Sequence, residues 1–246
     1  MTQITRIRCQ GFTLTELAVV MVIVAIMLGG LLMPLSAQRE IQAYRETQIR
    51  LEKIREILIG FAMVNGRLPK PAKSYSDGME NIDDCNTTPS VCTGFVPWIA
   101  LGITKAETID AWGKMIRYSV TPAFANTQPF DLNAIGQEKV KGRDNNSNEF
   151  YLVGSASTCD VSSPCAPSIV YSFGKHNWGT SPDGTDFADT SQTNIDEDTN
   201  NAAGSVYFAR DPSDNTSATG GEFDDLVIWI SPYTLFNRMI AAGKLP

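Results

Sequence analysis

The segment that most constrains this chain is an uncharged apolar run near its N-terminus. Residues 17–35 read LAVVMVIVAIMLGGLLMPL and contain no ionisable side chain. At about 1.5 Å of rise per residue, such a helix spans about 28 Å, close to the hydrocarbon thickness of a bilayer. A carboxylate, Glu16, directly precedes the run, and Arg6 and Arg8 lie further upstream. The run therefore predicts a transmembrane helix over residues 17–35 with one acidic residue at its leading edge.

Three interpretations of this segment compete. A secretory signal peptide would be cleaved after Ala37, but the apolar run is longer than the usual core of such a peptide. A simple membrane anchor without processing leaves Glu16 unexplained, because a carboxylate next to hydrocarbon usually has a partner or a function. The third interpretation places the cleavage before the apolar run, between Gly11 and Phe12.

The stretch GFTLTE at residues 11–16, followed by an apolar helix, resembles the N-terminal signature of type IV pilins and type II secretion pseudopilins. The resemblance implies that a prepilin peptidase cuts after Gly11 and that Phe12 becomes the N-methylated first residue. It also implies that Glu16 is the glutamate through which members of this family assemble. Thr15 departs from the family pattern, which more often has an aliphatic residue at that position.

A physical role for Glu16 follows from this cleavage. A new α-amine at Phe12 would be mostly protonated at neutral pH, since its ordinary pKa is near 8. Opposite charges attract strongly in a low-dielectric environment, where either charge alone is costly. Phe12 and Glu16 are four residues apart and share a helix face. Glu16 could pair with its own amine or with that of a neighbouring subunit. The resemblance implies the neighbour, so that the pair sets axial register in a helical filament.

Beyond the apolar run the pattern becomes amphipathic. Two sets of positions recur every seven residues, Tyr44, Leu51 and Leu58, and Thr47, Ile54 and Phe61. This spacing is typical of a helix with one apolar stripe. We expect the helix to continue to residue 65 and to pack on a globular head. A short coiled coil is the alternative, because it gives the same heptad pattern.

Residues 66–246 show the pattern of an α+β domain. Short runs rich in β-branched and aromatic residues predict strands at residues 115–120, 150–154, 169–173, 206–210 and 226–231. A helix is predicted over Tyr233–Ala242. The resemblance implies a pilin-like fold, in which a long N-terminal helix packs on a C-terminal antiparallel β-sheet head with long loops. The predicted organisation is a leader at 1–11, the helix at 12–65 and the head at 66–246.

The head contains two close pairs of cysteines, and the fifth cysteine, Cys9, lies in the leader. Cys85 and Cys92 form one pair, and Cys159 and Cys165 form the other. The spacings C-x6-C and C-x5-C are looser than those of a zinc knuckle, so two local disulfides in an oxidising compartment are the simpler interpretation. Basic residues after the apolar run favour a cytoplasmic head by the positive-inside rule. The cysteine pairs and the resemblance favour export.

The acidic loops are the one candidate metal site. Their carboxylates are the hard oxygen ligands that calcium takes, and major pseudopilins are known for a calcium site in a C-terminal loop. The candidate ligands are Asp183, Asp186, Asp189, Asp196 and Asp198, with Glu197 in the same run. Their spacing fits no EF-hand, so a solvated acidic loop without a cofactor is the simpler expectation. Asp224 and Asp225 are expected to cap the turn before the last strand.

Charge and motif content exclude several classes of function. The net charge is −7, and residues 57–246 carry thirteen basic and twenty-two acidic residues. This balance disfavours nucleic-acid binding, for which Lys139, Lys141 and Arg143 form the only local basic candidate. The only histidine, His176, is accompanied by no nucleophile elbow, Walker motif, dinucleotide fingerprint or zinc-protease motif. The tryptophans Trp98 and Trp112 are expected to anchor the core.

The sequence therefore predicts a non-enzymatic filament subunit, either a pseudopilin or a minor type IV pilin. It would lie in the bacterial inner membrane through one helix, with its head in the periplasm or in an extracellular filament. The expected partners are prepilin peptidase, other pilins or pseudopilins, an inner-membrane assembly platform and membrane lipid. Two alternatives are a pilus-displayed adhesin or DNA-uptake module and a soluble periplasmic protein released by a signal peptidase.

Overall fold

The computed structural model describes residues 12–81, 85, 92–126, 128–202 and 204–246, without the side chains of residues 28–37. The predicted leader, 1–11, lies outside the described residues. The helices are α1 (Leu14–Asn65), α2 (Trp98–Leu101), α3 (Pro122–Ala125), α4 (Ile195–Asn201) and α5 (Pro232–Ala241). The strands are β1 (Cys92–Phe95), β2 (Arg117–Val120), β3 (Lys139–Arg143), β4 (Glu149–Val153), β5 (Ser168–Ser172), β6 (Val206–Phe208) and β7 (Leu226–Ile230). The chain divides into two compact units, Met1–Ala43 and Tyr44–Pro246.

Four of the strands form an antiparallel sheet in the order β1-β2-β5-β7. Every residue of the central strand β5 is buried, because both faces of this sheet are covered. Val170 faces the cluster that contains the second half of α1, whereas Ile169 and Tyr171 face a cluster with Tyr207 of β6. The predicted α+β class with an antiparallel sheet is confirmed.

The remaining three strands form a second sheet in the order β4-β3-β6. Strand β3 pairs antiparallel with β4 and parallel with β6, so the head is not wholly antiparallel as predicted. A parallel pair requires a long crossover connection, and the chain between β3 and β6 supplies one that contains β4, β5 and α4. Residues Gly136 and Glu138 form backbone bridges to Cys165 and Ala166 just before β5, which join the two sheets.

The predicted strands are all present, as β2, β4, β5, β6 and β7, with ends within two residues of the prediction. Two further strands, β1 and β3, were not predicted. Strand β3 reads KVKGR, and only its inward positions Val140 and Gly142 are buried. Its outward positions are basic, so the short run lacks the apolar content by which a strand is recognised.

The second half of α1 packs on the head through the middle of the predicted apolar stripe, whereas its two ends, Tyr44 and Phe61, are only partly buried and Ala62 is buried beside Phe61. Thr47, Leu51, Ile54, Leu58 and Ala62 are each at most 1% exposed. Leu51, Ile54, Leu58 and Ala62 belong to one cluster with side chains of the four-stranded sheet, including Val120 and Ile230. The heptad pattern is therefore explained by packing on the sheet, as predicted, rather than by a coiled coil.

Polar contacts fix the position of this part of α1 along the segment that precedes β2. Three helix residues spaced three apart each bind one alternate residue of that segment. Ala111 N–H donates to Thr47 Oγ1 at 3.0 Å, Arg50 Nη1 donates to the carbonyl of Ile109, and Lys53 Nζ donates to Glu107 Oε1 at 2.6 Å. These contacts define the axial position of the helix, whereas apolar packing alone would tolerate sliding.

The four cysteines of the head form two local disulfides, Cys85–Cys92 and Cys159–Cys165. Cys85 and Cys92 join the core cluster of α1, and residues 86–91 between them lie outside the described part of the chain. Trp98 is buried in a small cluster with Phe95 and Met115, and Trp112 packs half-buried against the main cluster, so both tryptophans are core residues.

The contact between α1 and the sheet predicts how two substitutions on one helix will differ. Leu58→Ala should lower the free energy of unfolding of the full chain by about 2–5 kcal/mol, because a fully buried side chain leaves a cavity. Ile49→Ala should change it by at most about 0.5 kcal/mol, because Ile49 is 68% exposed. Urea unfolding of the two variants beside the parent chain measures both values. Equal effects would contradict the assigned face of the helix.

Candidate functional site

The N-terminus of α1 is closed by a reciprocal cap between Thr13 and Glu16. The Thr13 N–H and hydroxyl each donate to Glu16 Oε2 at 2.8 Å, and the Glu16 N–H donates to Thr13 Oγ1 at 3.3 Å. This arrangement is a capping box, and a carboxylate is also favourable at the positive end of the helix dipole. The T-x-x-E spacing of residues 13–16 is the sequence pattern of this cap. An argument from charge pairing alone does not reveal that Glu16 also caps the helix.

Every described residue from 12 to 27 is exposed. The large apolar side chains among them are Phe12, Leu14, Leu17, Val19, Val20, Met21, Val22, Ile23, Val24, Ile26 and Met27. They occupy all sides of the helix, in contrast to the single stripe of residues 51–62. A continuous apolar surface of this extent marks contact with a membrane or with other proteins.

Among the described residues, no helix is both long enough and apolar enough to cross a membrane. The side chains of residues 28–37, which include the second half of the predicted segment 17–35, lie outside the described part of the chain. The same is true of Gly11, on one side of the predicted cleavage. Phe12, on the other side, is described and is 84% exposed.

The five aspartates proposed as calcium ligands do not form one site. Their described partners differ: Asp183 accepts from Ser181 and Thr185, Asp186 from Thr180, Asp189 from Ser191 and Asn194, Asp196 from Arg143 and Arg210, and Asp198 from Trp178. Asp196 is fully buried, and its oxygens lie 2.7 Å from Arg143 and 2.8 Å from Arg210. That carboxylate is already neutralised by two guanidinium groups.

A different set of carboxylates comes together in the head. Over the described residues, the one group of acidic side chains close enough to share an ion is Glu197, Asp224 and Asp225, with one oxygen from each lying within 4.8 Å of the others. Glu197 accepts from the side-chain amides of Asn177 and Asn194 at 3.0 and 3.1 Å and from the Asp224 N–H at 2.8 Å. Burial raises the pKa of all three carboxyls.

Beside this acidic cluster lies a buried lysine. Lys114 is 2% exposed, and its Nζ donates to the carbonyl oxygens of Phe173, His176 and Asn177 at 3.2, 2.6 and 2.5 Å. Burial lowers the pKa of Lys114, while Asp224 and the other nearby carboxylates oppose this shift. The ammonium group is therefore held by backbone carbonyls within electrostatic range of the acidic cluster. No sequence pattern indicates that Lys114 lies near these acids.

His176 and Asp224 form one edge of the same region. Asp224 Oδ2 accepts from the His176 N–H at 2.9 Å and lies 2.8 Å from His176 Nδ1. Asp224 thus caps the turn that contains His176, whereas Asp225 accepts from Asn200 at 2.8 Å in the interior. No nucleophile is described next to the histidine, so its position is that of a loop residue.

The basic side chains of β3 are bound within the head, two of them in ion pairs. Lys139 Nζ donates to the Ser157 carbonyl at 2.7 Å, and Lys141 Nζ donates to Glu149 at 2.8 Å. Arg143 pairs with Asp196 and, at 3.2 Å, with Glu149. This strand therefore does not present the open basic face that nucleic-acid binding requires.

The chain combines a long N-terminal helix with a capped acidic start, an exposed apolar surface behind that start and an α+β head, an organisation consistent with the pilin-like fold. Residues 6–32 match the family model described as the prokaryotic N-terminal methylation motif, which is the signature of type IV pilins and pseudopilins. None of the curated proteins and none of the solved structures matches the chain significantly.

Removal of calcium tests the acidic loops directly. Because Asp196 is paired with two arginines and the acidic cluster lies near the ammonium of Lys114, we expect the melting temperature of the full chain to be the same in excess EDTA as in millimolar calcium. Thermal unfolding under both conditions, with magnesium as the control for ionic strength, measures the difference. A rise of several degrees with calcium alone would show that the acidic loops bind the ion, since binding to the folded state stabilises it.

Proposed function

We propose that this chain is a non-enzymatic subunit of a cell-envelope filament, either a pseudopilin or a minor type IV pilin. A prepilin peptidase cleaves it between Gly11 and Phe12, and the processed chain assembles through its N-terminal helix for protein secretion or pilus function. The observation that carries this proposal is the apolar surface of residues 12–27, which begins at the capped carboxylate of Glu16 and lies within the methylation motif.

The magnitudes favour a lipid environment before assembly. Moving one Val, Leu or Ile side chain out of water gains about 1.5–3 kcal/mol, and residues 12–27 expose eleven large apolar side chains. A carboxylate in a membrane helix costs only about 2.5–3.5 kcal/mol on insertion scales. Glu16 therefore does not prevent insertion. Because the unpaired carboxylate is unfavourable in the membrane, Glu16 gains free energy when it pairs with a cation.

The cap leaves Glu16 able to meet that cation. The described hydrogen bonds that the Glu16 carboxylate accepts fall on Oε2, and Phe12 precedes Glu16 by four residues in the chain. After cleavage, that nitrogen is an α-amine, mostly protonated at neutral pH. We propose that the α-amine of one subunit pairs with Glu16 of its neighbour in the filament. Apolar helices then pack side by side, because either charge alone is unfavourable in their midst.

Outside the membrane the head carries the acidic surface. The two disulfides support an oxidising compartment, and we propose a single-pass chain in the inner membrane with the head in the periplasm or in an extracellular filament. Other pilins or pseudopilins and an inner-membrane assembly platform are the proposed partners. The paired state of Lys141 and Arg143 gives no support to the alternative of a DNA-uptake module.

A charge-removing substitution at Glu16 tests the assembly step. Glu16→Gln keeps the acceptor that closes the cap but removes the charge. We expect normal levels of the variant in the membrane fraction and at least about a tenfold loss from sheared filaments, because one partner of a desolvated charge pair is missing. Immunoblotting of the two fractions measures both.

Thr15→Ala is the matched control, because it changes a neighbouring polar side chain without removing the carboxylate, and it should enter filaments normally. Incorporation of Glu16→Gln at the parental level would remove the charge pair from the mechanism. Loss of the variant from the membrane itself would instead assign Glu16 a role in insertion.

A further inference from the structure

A buried acid lies where the two sheets of the head join. Glu138 directly precedes β3, and its backbone forms two hydrogen bonds with that of Ala166. The Ala166 N–H donates to the Glu138 carbonyl at 2.8 Å, and the Glu138 N–H donates to the Ala166 carbonyl at 3.3 Å. Two residues earlier, Gly136 is so close to this segment that a Cβ would lie 2.4 Å from the carbonyl oxygens of Cys165 and Ala166. The sheets are therefore held together here by close backbone contact.

The side chain of Glu138 is fully buried and has few hydrogen bonds. Its Oε1 accepts from the Ser119 hydroxyl at 2.8 Å, whereas Oε2 is buried without a hydrogen-bond partner. The Ser119 hydroxyl also lies 3.0 Å from that of Thr93, from which it can accept a hydrogen bond while it donates to Glu138. The hydroxyl of Tyr207 is buried in the same region, where it interacts with Glu138, Ser119 and Thr93.

No positive charge faces Glu138 among the described residues. The titratable side chains that interact with it are Tyr118 of β2, Tyr171 of β5 and Tyr207 of β6, and burial raises the pKa of each, so all three are neutral. Arg117 of β2 lies over the ring of Phe95 and influences Tyr171 instead. Burial, opposed only by the Ser119 hydrogen bond, raises the pKa of Glu138 well above its ordinary value.

An ionised Glu138 is incompatible with this environment. A single hydroxyl donor does not replace the hydration of a carboxylate, and an unpaired buried charge is among the most costly groups in a protein interior. The carboxylate can reach water only if the backbone bridges at Gly136 and Glu138 open. The neutral acid needs no such opening. With its proton on Oε1, it can donate a hydrogen bond to the Ser119 hydroxyl, 2.8 Å away.

We propose that Glu138 is a proton-controlled latch, which holds the two sheets together as the neutral acid and releases their junction when it ionises. The proton is lost to solvent, and no other group is transferred. The latch goes beyond the role proposed for the N-terminal helix, and neither proposal depends on the other. Because Glu138 is neutral in mild acid, the head would be more compact and more resistant to unfolding there than in alkali.

The pH dependence of unfolding tests the latch in the full chain. Between about pH 5 and the raised pKa of Glu138, the native state holds one proton more than the unfolded state, so the equilibrium constant for unfolding should rise about tenfold per pH unit from this residue. Asp110, Glu197, Asp224 and Asp225 also have raised pKa values and add to the slope. A difference between variants is therefore needed to isolate Glu138.

Glu138→Gln removes the proton-binding group while keeping the acceptor for Ser119. Urea unfolding from pH 5 to 9 should show a slope lower than that of the parent by about one proton, or tenfold per pH unit. Glu56→Gln, at a glutamate whose side chain is 57% exposed, should keep the parental slope. Identical slopes for Glu138→Gln and the parent, even with a lower stability, would overturn the proposal.

Amide hydrogen exchange locates the opening. At the same pH, the Ala166 amide should exchange faster in the parent than in Glu138→Gln as the pH rises toward 9, and equal rates would overturn the proposal.

If Glu138→Gln does not fold, unfolding of Ser119→Ala provides a second test. Loss of the only described hydrogen-bond donor to Glu138 should move the pH-dependent step to higher pH. An unmoved step in Ser119→Ala would contradict the latch.

Discussion

The rest of the structure depends on the burial of one helical stripe against one face of a four-stranded sheet. Leu51, Ile54 and Leu58 are excluded from water by that contact, which also covers one side of the central strand β5. The other side of β5 is covered by the smaller sheet. The same helix is apolar on all sides over residues 12–27, where no described segment covers it. One element therefore combines a part that folds with the head and a part that requires another apolar partner.

Sequence periodicity predicted the features that follow from burial alone. The heptad of Tyr44 to Phe61 identified the packed face of α1, and β-branched runs identified β2, β5 and β7. Such prediction works because buried apolar side chains recur with the period of the helix or strand that carries them. Strand β3 escaped prediction because its outward side chains are basic. Its parallel partner β6 lies more than sixty residues away, and single-sequence patterns contain no information about such pairing.

Which residues the acidic side chains contact could not be predicted from the sequence either. Composition showed an excess of carboxylates in residues 183–198, but not that Asp196 would meet Arg143 and Arg210, or that Glu197 would meet Asp224. In the described interior, Asp196 is paired with two arginines, the ammonium of Lys114 lies near the acidic cluster, and burial raises the pKa of Glu138.

The central claim is that cleavage creates a charged amine next to the capped carboxylate of Glu16. Mass spectrometry of the first peptide of the protein recovered from cells tests it most directly. The account predicts that the chain begins at N-methylated Phe12. A chain that begins at Met1 in working filaments, or at Gln38 in a secreted protein, would contradict it.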